Sequence, residues 1–144
     1  MCVNQCSPSG ISIDHATISY RSIDHCTTPK ISVNHCTITH LLLNYCIISN
    51  VIINQSSIPH LTFNNCTITN MYIDYSTISN LVFDNCRISN MFIKQSTISN
   101  ISVKNSIICN ASLTSSTMPD INLTQCTKNN FLKTLYNISD MTIN

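Results

Sequence analysis

Residues 66–85, CTITN MYIDY STISN LVFDN, contain the pattern that decides the fold. In this stretch, as along the chain, an apolar or small residue returns at fixed places in every block of ten. Residues whose numbers end in 3 are aliphatic or Phe from residue 3 to residue 123, and most of those ending in 8 are Ile. Those ending in 1 are mostly aliphatic or Met, and those ending in 6 are Cys, Ser or Ala until Tyr136. No insertion or deletion breaks this period, so the repeat itself predicts the fold.

The apolar and small residues come in pairs two apart, which is the period of a β-strand. Between pairs the spacing is three residues, so the chain has to bend there. Asn or Asp at numbers ending in 4 and Asn at numbers ending in 0 fall at these bends, where we expect them to tolerate unusual backbone angles and to bond their own backbone. An α-helix cannot keep a five-residue apolar period on one face, and Ile, Val and Thr favour strands. The pattern predicts an all-β solenoid, with residues ending in 1, 3, 6 and 8 inside.

A second period indicates how many residues make one coil. Cys recurs with a period of twenty residues, interrupted only by Ser106, and the intervening blocks mostly carry Ser at the same place. The two series are Cys6, Cys26, Cys46, Cys66, Cys86 and Cys126 on one side, and Ala16, Cys36, Ser56, Ser76, Ser96 and Ser116 on the other. Because equal side chains stack well between neighbouring coils, this alternation favours a four-sided coil of about 20 residues. A two-sided coil of ten residues is the alternative.

Composition excludes several classes of protein. The chain has 144 residues, a net charge of +1 and 9% charged residues. A nucleic-acid-binding protein would need a basic stripe, so we expect no nucleic-acid partner. No apolar run of about 18 residues is present, and residues 1–5 show no secretory signal, so we expect neither a membrane partner nor export. We therefore expect a cytoplasmic protein.

Two five-residue units resemble those of the pentapeptide-repeat family. They are Cys66-Thr67-Ile68-Thr69-Asn70 and Cys86-Arg87-Ile88-Ser89-Asn90, with Ile at the centre and a small Cys two places before it. The resemblance covers nearly the whole chain, and it implies a right-handed, four-sided parallel β-helix with about 20 residues per coil. At that coil length the 144 residues form about seven coils. A strand spacing of about 4.8 Å then makes a rod about 34 Å long.

We interpret residues 1–144 as one domain with a degenerate end. Lys128, Lys133 and Tyr136 interrupt the pattern, and residues 128–144 are interpreted as a degenerate last coil or cap. Residues 131–136 form either a short capping helix or an irregular last coil. Open solenoid ends expose unpaired strand edges, so we expect end-to-end homodimers.

The nine cysteines are interpreted as small core residues that stay reduced. Most of them share the inward place with Ser and Ala, and their odd number and the missing signal peptide argue against a disulfide framework. Cys2 and Cys109 fall outside this place, so we expect them to be the more reactive thiols. Zinc ligation by cysteine is not expected, because the chain has no CxxC pair.

Four of the five histidines fall at places that the twenty-residue period brings together. His15 and His35 are expected to stack at one corner, and His40 and His60 at another. We interpret them as solvated corner residues, with a metal site or a pH-sensitive patch as the alternative.

Residues whose numbers end in 7 and 9 point outward, and on one side of the coil they are mostly hydroxyl residues. We call this side the hydroxyl face; it consists of Thr17, Ser19, Thr37, Thr39, Ser57, Thr77, Ser79, Thr97, Ser99 and Thr117, with Pro59 and Pro119 as interruptions. It resembles the Thr-x-Thr rows of insect ice-binding solenoids. The alternative explanation is that Thr and Ser simply suit exposed strands.

Three functions remain open. The first is a non-enzymatic structural rod that binds an unidentified protein partner. The second follows from the resemblance, since some pentapeptide-repeat proteins mimic duplex DNA and protect type II topoisomerases, although that role needs a strongly negative surface. The third is ice binding by the hydroxyl face. No catalytic, phosphate-loop or cofactor motif is apparent, so we expect no enzyme activity, no cofactor and no metal.

Overall fold

The computed structural model describes residues 2–3, 8–114, 116, 120–124, 127–128, 131–133 and 140–143. Side chains are described for residues 8–112, 114 and 116. The regular strands each span eight residues: β3 Thr17–Asp24, β4 Thr27–Asn34, β5 Thr37–Asn44, β6 Ile47–Asn54, β7 Ser57–Asn64, β8 Thr67–Asp74, β9 Thr77–Asp84, β10 Arg87–Lys94, β11 Thr97–Lys104 and β12 Ile107–Thr114. Shorter strands lie towards the ends: β1 Cys2–Val3, β2 Ile11–Asp14, β13 Asp120–Thr124, β14 Thr127–Lys128, β15 Phe131–Lys133 and β16 Asp140–Ile143.

These strands form two parallel sheets with a register of twenty residues. Sheet A has the order β1-β3-β5-β7-β9-β11-β13-β16, and sheet B has the order β14-β12-β10-β8-β6-β4-β2, with β15 also paired to β12. Ile88 of β10, for example, pairs with Ile68 of β8 and Ile108 of β12. The predicted parallel β-solenoid and its coil of about 20 residues are confirmed, and the ten-residue coil is wrong.

The core runs along the inside of the coil, as the period predicts. From Ile13 to Ala111, buried side chains belong to residues whose numbers end in 1, 3, 6 and 8 at nearly every turn. Phe63 and Phe83 are fully buried and stack on each other with ring centroids 5.2 Å apart. Contact between like side chains in adjacent coils therefore accounts for the alternation seen in the sequence.

The bends are of two kinds. Between strands, the residues whose numbers end in 5 and 6 form a turn. Within each long strand the chain bends without leaving the sheet. At this bend the inward side chains are three residues apart instead of two, and the pairing of Arg87–Lys94 with its neighbouring strands skips Ser89. Two turns and two such bends give the coil its four sides.

The special backbone angles fall on residues that the sequence did not single out. All ten residues ending in 5 from His15 to Asn105 have φ between 47° and 54°. The expectation that Asn and Asp at numbers ending in 4 and 0 take these angles is therefore wrong. The reason is hydrogen bonding between coils: the N–H of Asn65, for example, donates to the carbonyl oxygen of Asp84 at 2.8 Å, which fixes the turn.

The ends of the rod differ from the sequence expectation in two ways. The described residues form about five complete coils rather than about seven, since the strands beyond residues 11–114 are only two to five residues long. A capping helix over 131–136 is wrong for 131–133, because β15 pairs with β12 as a strand. Residues 134–136 lie outside the described part.

Candidate functional site

The hydroxyl face lies on sheet A as an ordered surface. Thr17, Thr37, Ser57, Thr77 and Thr97 follow one another in register through five strands. All five are exposed, and so are the residues ending in 9 beside them, apart from the half-buried Ser79 and Pro59. Thr117 and Pro119 lie outside the described residues. The surface carries no charged side chain among its described members, so it can interact through hydroxyl and methyl groups alone.

The equivalent places on sheet B are chemically mixed. They hold Thr27, Ile47, Thr67, Arg87 and Ile107 in register. Ile47 is 58% exposed, although it is a large apolar residue. Only sheet A therefore presents a continuous row of hydroxyl residues within the described strands.

Sheet B carries a surface that the sequence interpretation missed. Ile52, Tyr72 and Phe92 are neighbours in β6, β8 and β10, and we call them the aromatic strip. The rings of Tyr72 and Phe92 stack with centroids 5.3 Å apart, and Phe92 is 40% exposed. The signal was present in the sequence, because these outward residues recur at intervals of twenty.

A shallow groove lies beside the aromatic strip. Its volume is about 300 Å³, and its lining includes Tyr72, Phe92, Asp74 and Lys94. Asp74 and Lys94 pair in register at the ends of β8 and β10, so opposite charges border the apolar rings. This groove offers a surface on which a partner side chain can pack.

The buried thiols and hydroxyls form two internal columns. In one, Cys46, Cys66 and Cys86 each direct Sγ to a backbone carbonyl two residues earlier and to another in the preceding coil. Contacts with the thiols of Cys46 and Cys86, together with burial, raise the pKa of Cys66 far above its ordinary value. The hydrogen bond with the Cys66 thiol lowers the pKa of Cys46 and of Cys86. All three thiols are buried core residues, which keeps them away from reagents in solution.

The cysteines do not all remain reduced, which corrects one sequence expectation. Cys26 is disulfide-bonded, and its partner lies outside the residues whose side chains are described. Cys36, Cys46, Cys66, Cys86 and Cys109 are free. Cys109 is partly exposed, and its greater reactivity stays a prediction. The side chain of Cys2 lies outside the described part.

The histidines lie where the period predicts. His15 stacks on His35, and His40 stacks on His60, each with ring centroids 4.6 Å apart. Asp14 lies beside the first pair. Among the residues that the structure describes, only Asp14, His15 and His35 bring three ligating side chains together.

Two general comparisons complete the description of the chain. Within the described residues, no helix has the length and apolar character that crossing a membrane requires. Searches against protein-family models, curated proteins and solved structures found nothing that matches this chain.

Proposed function

We propose that this chain is a non-enzymatic, protein-binding β-solenoid of the pentapeptide-repeat type. The family assignment is supported by the coil of about 20 residues and by the small residue two places before a buried Ile, as in Cys66 and Ile68. The observation that carries the function is the aromatic strip of sheet B, where the exposed Phe92 stacks on the half-buried Tyr72.

Exposed aromatic side chains on a rigid sheet suit a protein interface. Tyr and Phe are enriched in interfaces because they supply a large contact area and lose little rotamer entropy on binding. Tyr72 and Phe92 are already stacked, so their geometry is fixed before a partner arrives. Asp74 and Lys94 supply charges of both signs at the edge, which suits the polar rim of an interface.

The test compares two variants of the rod in a capture experiment. Tyr72 and Phe92 are replaced together by Ser, because Ser32 and Ser112 occupy the same column of sheet B and show that the fold accepts Ser there. The matched control is Thr77→Lys, which changes the opposite sheet. We expect a protein from the native host that binds the wild-type rod and the control but not the strip variant. If every captured protein binds all three equally, the strip is not the binding surface.

The hydroxyl face supports ice binding as a second candidate. Its rows repeat at the strand spacing of about 4.8 Å along the rod. Such a regular, uncharged surface on a rigid sheet can order water. A thermal-hysteresis measurement tests it, with Thr77→Lys on the face and Thr67→Lys at the matching place on sheet B as control. Activity that survives Thr77→Lys contradicts this function.

Topoisomerase protection by DNA mimicry receives little support. A mimic of duplex DNA needs a dense negative surface, and this chain has six acidic against seven basic residues. A gyrase supercoiling assay with and without a quinolone tests it directly.

A further inference from the structure

Three ligating side chains meet at one corner of the rod, directly after β2. Asp14 is the last residue of β2, His15 follows it, and His35 occupies the place of His15 in the next coil. His15 Nδ1 lies 2.9 Å from Asp14 Oδ1, and His35 Nδ1 lies 3.9 Å from the same oxygen. One ligand atom from each of the three side chains lies within 4.8 Å of the others. Two imidazoles and one carboxylate therefore face a single small volume.

The backbone fixes this arrangement. His15 and His35 have φ of 50° and 52°, and their N–H groups donate to the carbonyl oxygens of Asn34 and Asn54, each at 3.0 Å. The two rings consequently project from the same corner and lie nearly parallel, 6° apart. The neighbouring coil supplies the second ring without any flexible loop. Little side-chain and loop entropy is therefore lost when a ligand contacts both rings.

The opposite corner shows what is special about the first. Asp24 and His25 repeat the Asp-His pair, but the ring stacked on His25 is Tyr45, at 4.9 Å. The Asp24 carboxylate also accepts hydrogen bonds from Ser22 Oγ at 2.9 Å and from Asn44 Nδ2 at 2.6 Å. This corner therefore lacks a second imidazole, and its carboxylate is not directed at the rings.

At the first corner, the amide that lies opposite the acid is directed elsewhere. Asn34 pairs with Asp14 in the sheet, yet its Nδ2 donates to Ser32 Oγ at 2.8 Å. Asp14 Oδ1 thus remains directed at the two histidines.

We propose that Asp14, His15 and His35 bind one divalent transition-metal ion, with Zn²⁺ as the simplest case. Imidazole nitrogens are borderline ligands that suit Zn²⁺, Ni²⁺ and Cu²⁺, and Zn²⁺ also accepts the oxygen of an Asp carboxylate. A site with three protein ligands keeps a further position for water. The Irving–Williams order then makes Cu²⁺ the tightest binder.

Binding needs a modest rearrangement that this surface allows. Two imidazole nitrogens on one tetrahedral Zn²⁺ lie about 3.4 Å apart, given Zn–N bonds of about 2.05 Å. The rings stack at 4.6 Å, so they have to tilt towards Asp14. The side chains of His15 and His35 are 71% and 46% exposed, and no packed core resists that tilt.

Isothermal titration of the tag-free chain with Zn²⁺ at pH 7.5 tests the proposal. His15→Gln and His35→Gln remove the ligands one at a time, and both keep the fold because Gln55 and Gln95 occupy the same column with φ of 47° and 49°. We expect one equivalent of Zn²⁺ to bind, and either substitution to weaken binding at least about tenfold. Asp14→Asn weakens it as well, because the amide no longer offers an ionised oxygen.

Two controls come from the chain itself. His25→Gln alters the Asp-Tyr-His corner, and His40→Gln with His60→Gln alters a stacked pair that has no Asp or Glu partner among the described residues. Neither control is expected to change the affinity. The absorption spectrum with Co²⁺ distinguishes this site from cysteine, since thiolate ligation adds a charge-transfer band. A thiolate band, wild-type affinity in His15→Gln or His35→Gln, equal losses in a control, or no measurable binding overturns the proposal.

Discussion

The side-chain amide of Asn70 donates to Asn50 Oδ1 at 3.2 Å, across one full coil. Asn90 in turn donates to Asn70 at 3.1 Å, and Asn110 donates to Asn90 at 3.0 Å. These residues were expected to bond their own backbone, and the structure shows a ladder between coils instead. The reason is the twenty-residue register, which places identical amides at the strand spacing, where each can donate to the next.

The ladder predicts that Asn70→Ala destabilises the rod. The substitution removes the donor to Asn50 and the acceptor of Asn90, two hydrogen bonds at half-buried sites. We expect the free energy of unfolding to fall by about 1–2 kcal/mol, because each of the two half-buried bonds contributes about 0.5–1 kcal/mol. Urea denaturation measures it.

Asn100→Ala is the control, because the side chain of Asn100 donates to Asn80 alone among the described residues. Its loss is expected to be about half as large. Equal losses in the two variants contradict an additive ladder.

The left-handed corners predict a stabilising substitution at Gln95. Its φ is 49°, a region that costs most residues energy and that Asn tolerates better. Asn85 and Asn105 already take this angle at the other corner. We expect Gln95→Asn to raise the free energy of unfolding by about 0.5 kcal/mol, and Gln95→Val to lower it by more than 1 kcal/mol, since a β-branched residue fits this region worst. Thermal melts of both variants check the opposite signs.

The sequence predicted the core well and the corners poorly. Phe63, Phe83 and their neighbours have a period set by whether a side chain points in or out, and that period is visible in one dimension. The corner angle at Asn65 depends on its hydrogen bond to Asp84, nineteen residues later. Such a bond appears only once the register is known.

The same distinction holds for the surfaces. The twenty-residue period predicted the stacking of His15 on His35 and the columns of the hydroxyl face. It did not predict that Asp14 is directed at both rings while Asp24 is bonded by Asn44. Side-chain torsions decide that difference, and the repeat does not encode them. The aromatic strip was visible in the period, but the outward residues ending in 2 vary too much to attract notice.

The second internal column, the serine column, contains Cys36, Ser56, Ser76 and Ser96. Removing one hydroxyl from it is expected to lower the free energy of unfolding more than Asn70→Ala does. Ser76 Oγ accepts the N–H of Ser56 at 3.1 Å and donates to the carbonyl oxygen of Asp74 at 2.8 Å, and Ser76 is buried. Ser76→Ala leaves the buried N–H of Ser56 without that partner, which is expected to cost about 1–3 kcal/mol of unfolding free energy. Denaturant unfolding measures it.

Ser76→Cys is the matched control, because Cys36 already occupies the same column. It retains a weak acceptor, so its loss is expected to be smaller than that of Ser76→Ala. If Ser76→Cys loses more stability than Ser76→Ala, the space available to the side chain, rather than the hydrogen bond, determines stability in this column.

The raised pKa of Cys66 predicts a dependence of stability on pH. The pKa of Cys66 is raised from an ordinary value of 9.0 by its contacts with the Cys46 and Cys86 thiols and by burial. The folded chain therefore keeps this proton above pH 9, whereas the unfolded chain loses it, so the stabilisation is complete below pH 9 and declines as the pH rises. The slope is about 1.4 kcal/mol per pH unit for one thiol.

Urea unfolding between pH 8 and pH 10.5 measures this slope, with Cys66→Ser as the test variant because Ser106 occupies the same column. We expect Cys66→Ser to flatten the decline and Cys109→Ser to leave it unchanged. Equal slopes in all three proteins mean that Cys66 does not carry the pH dependence.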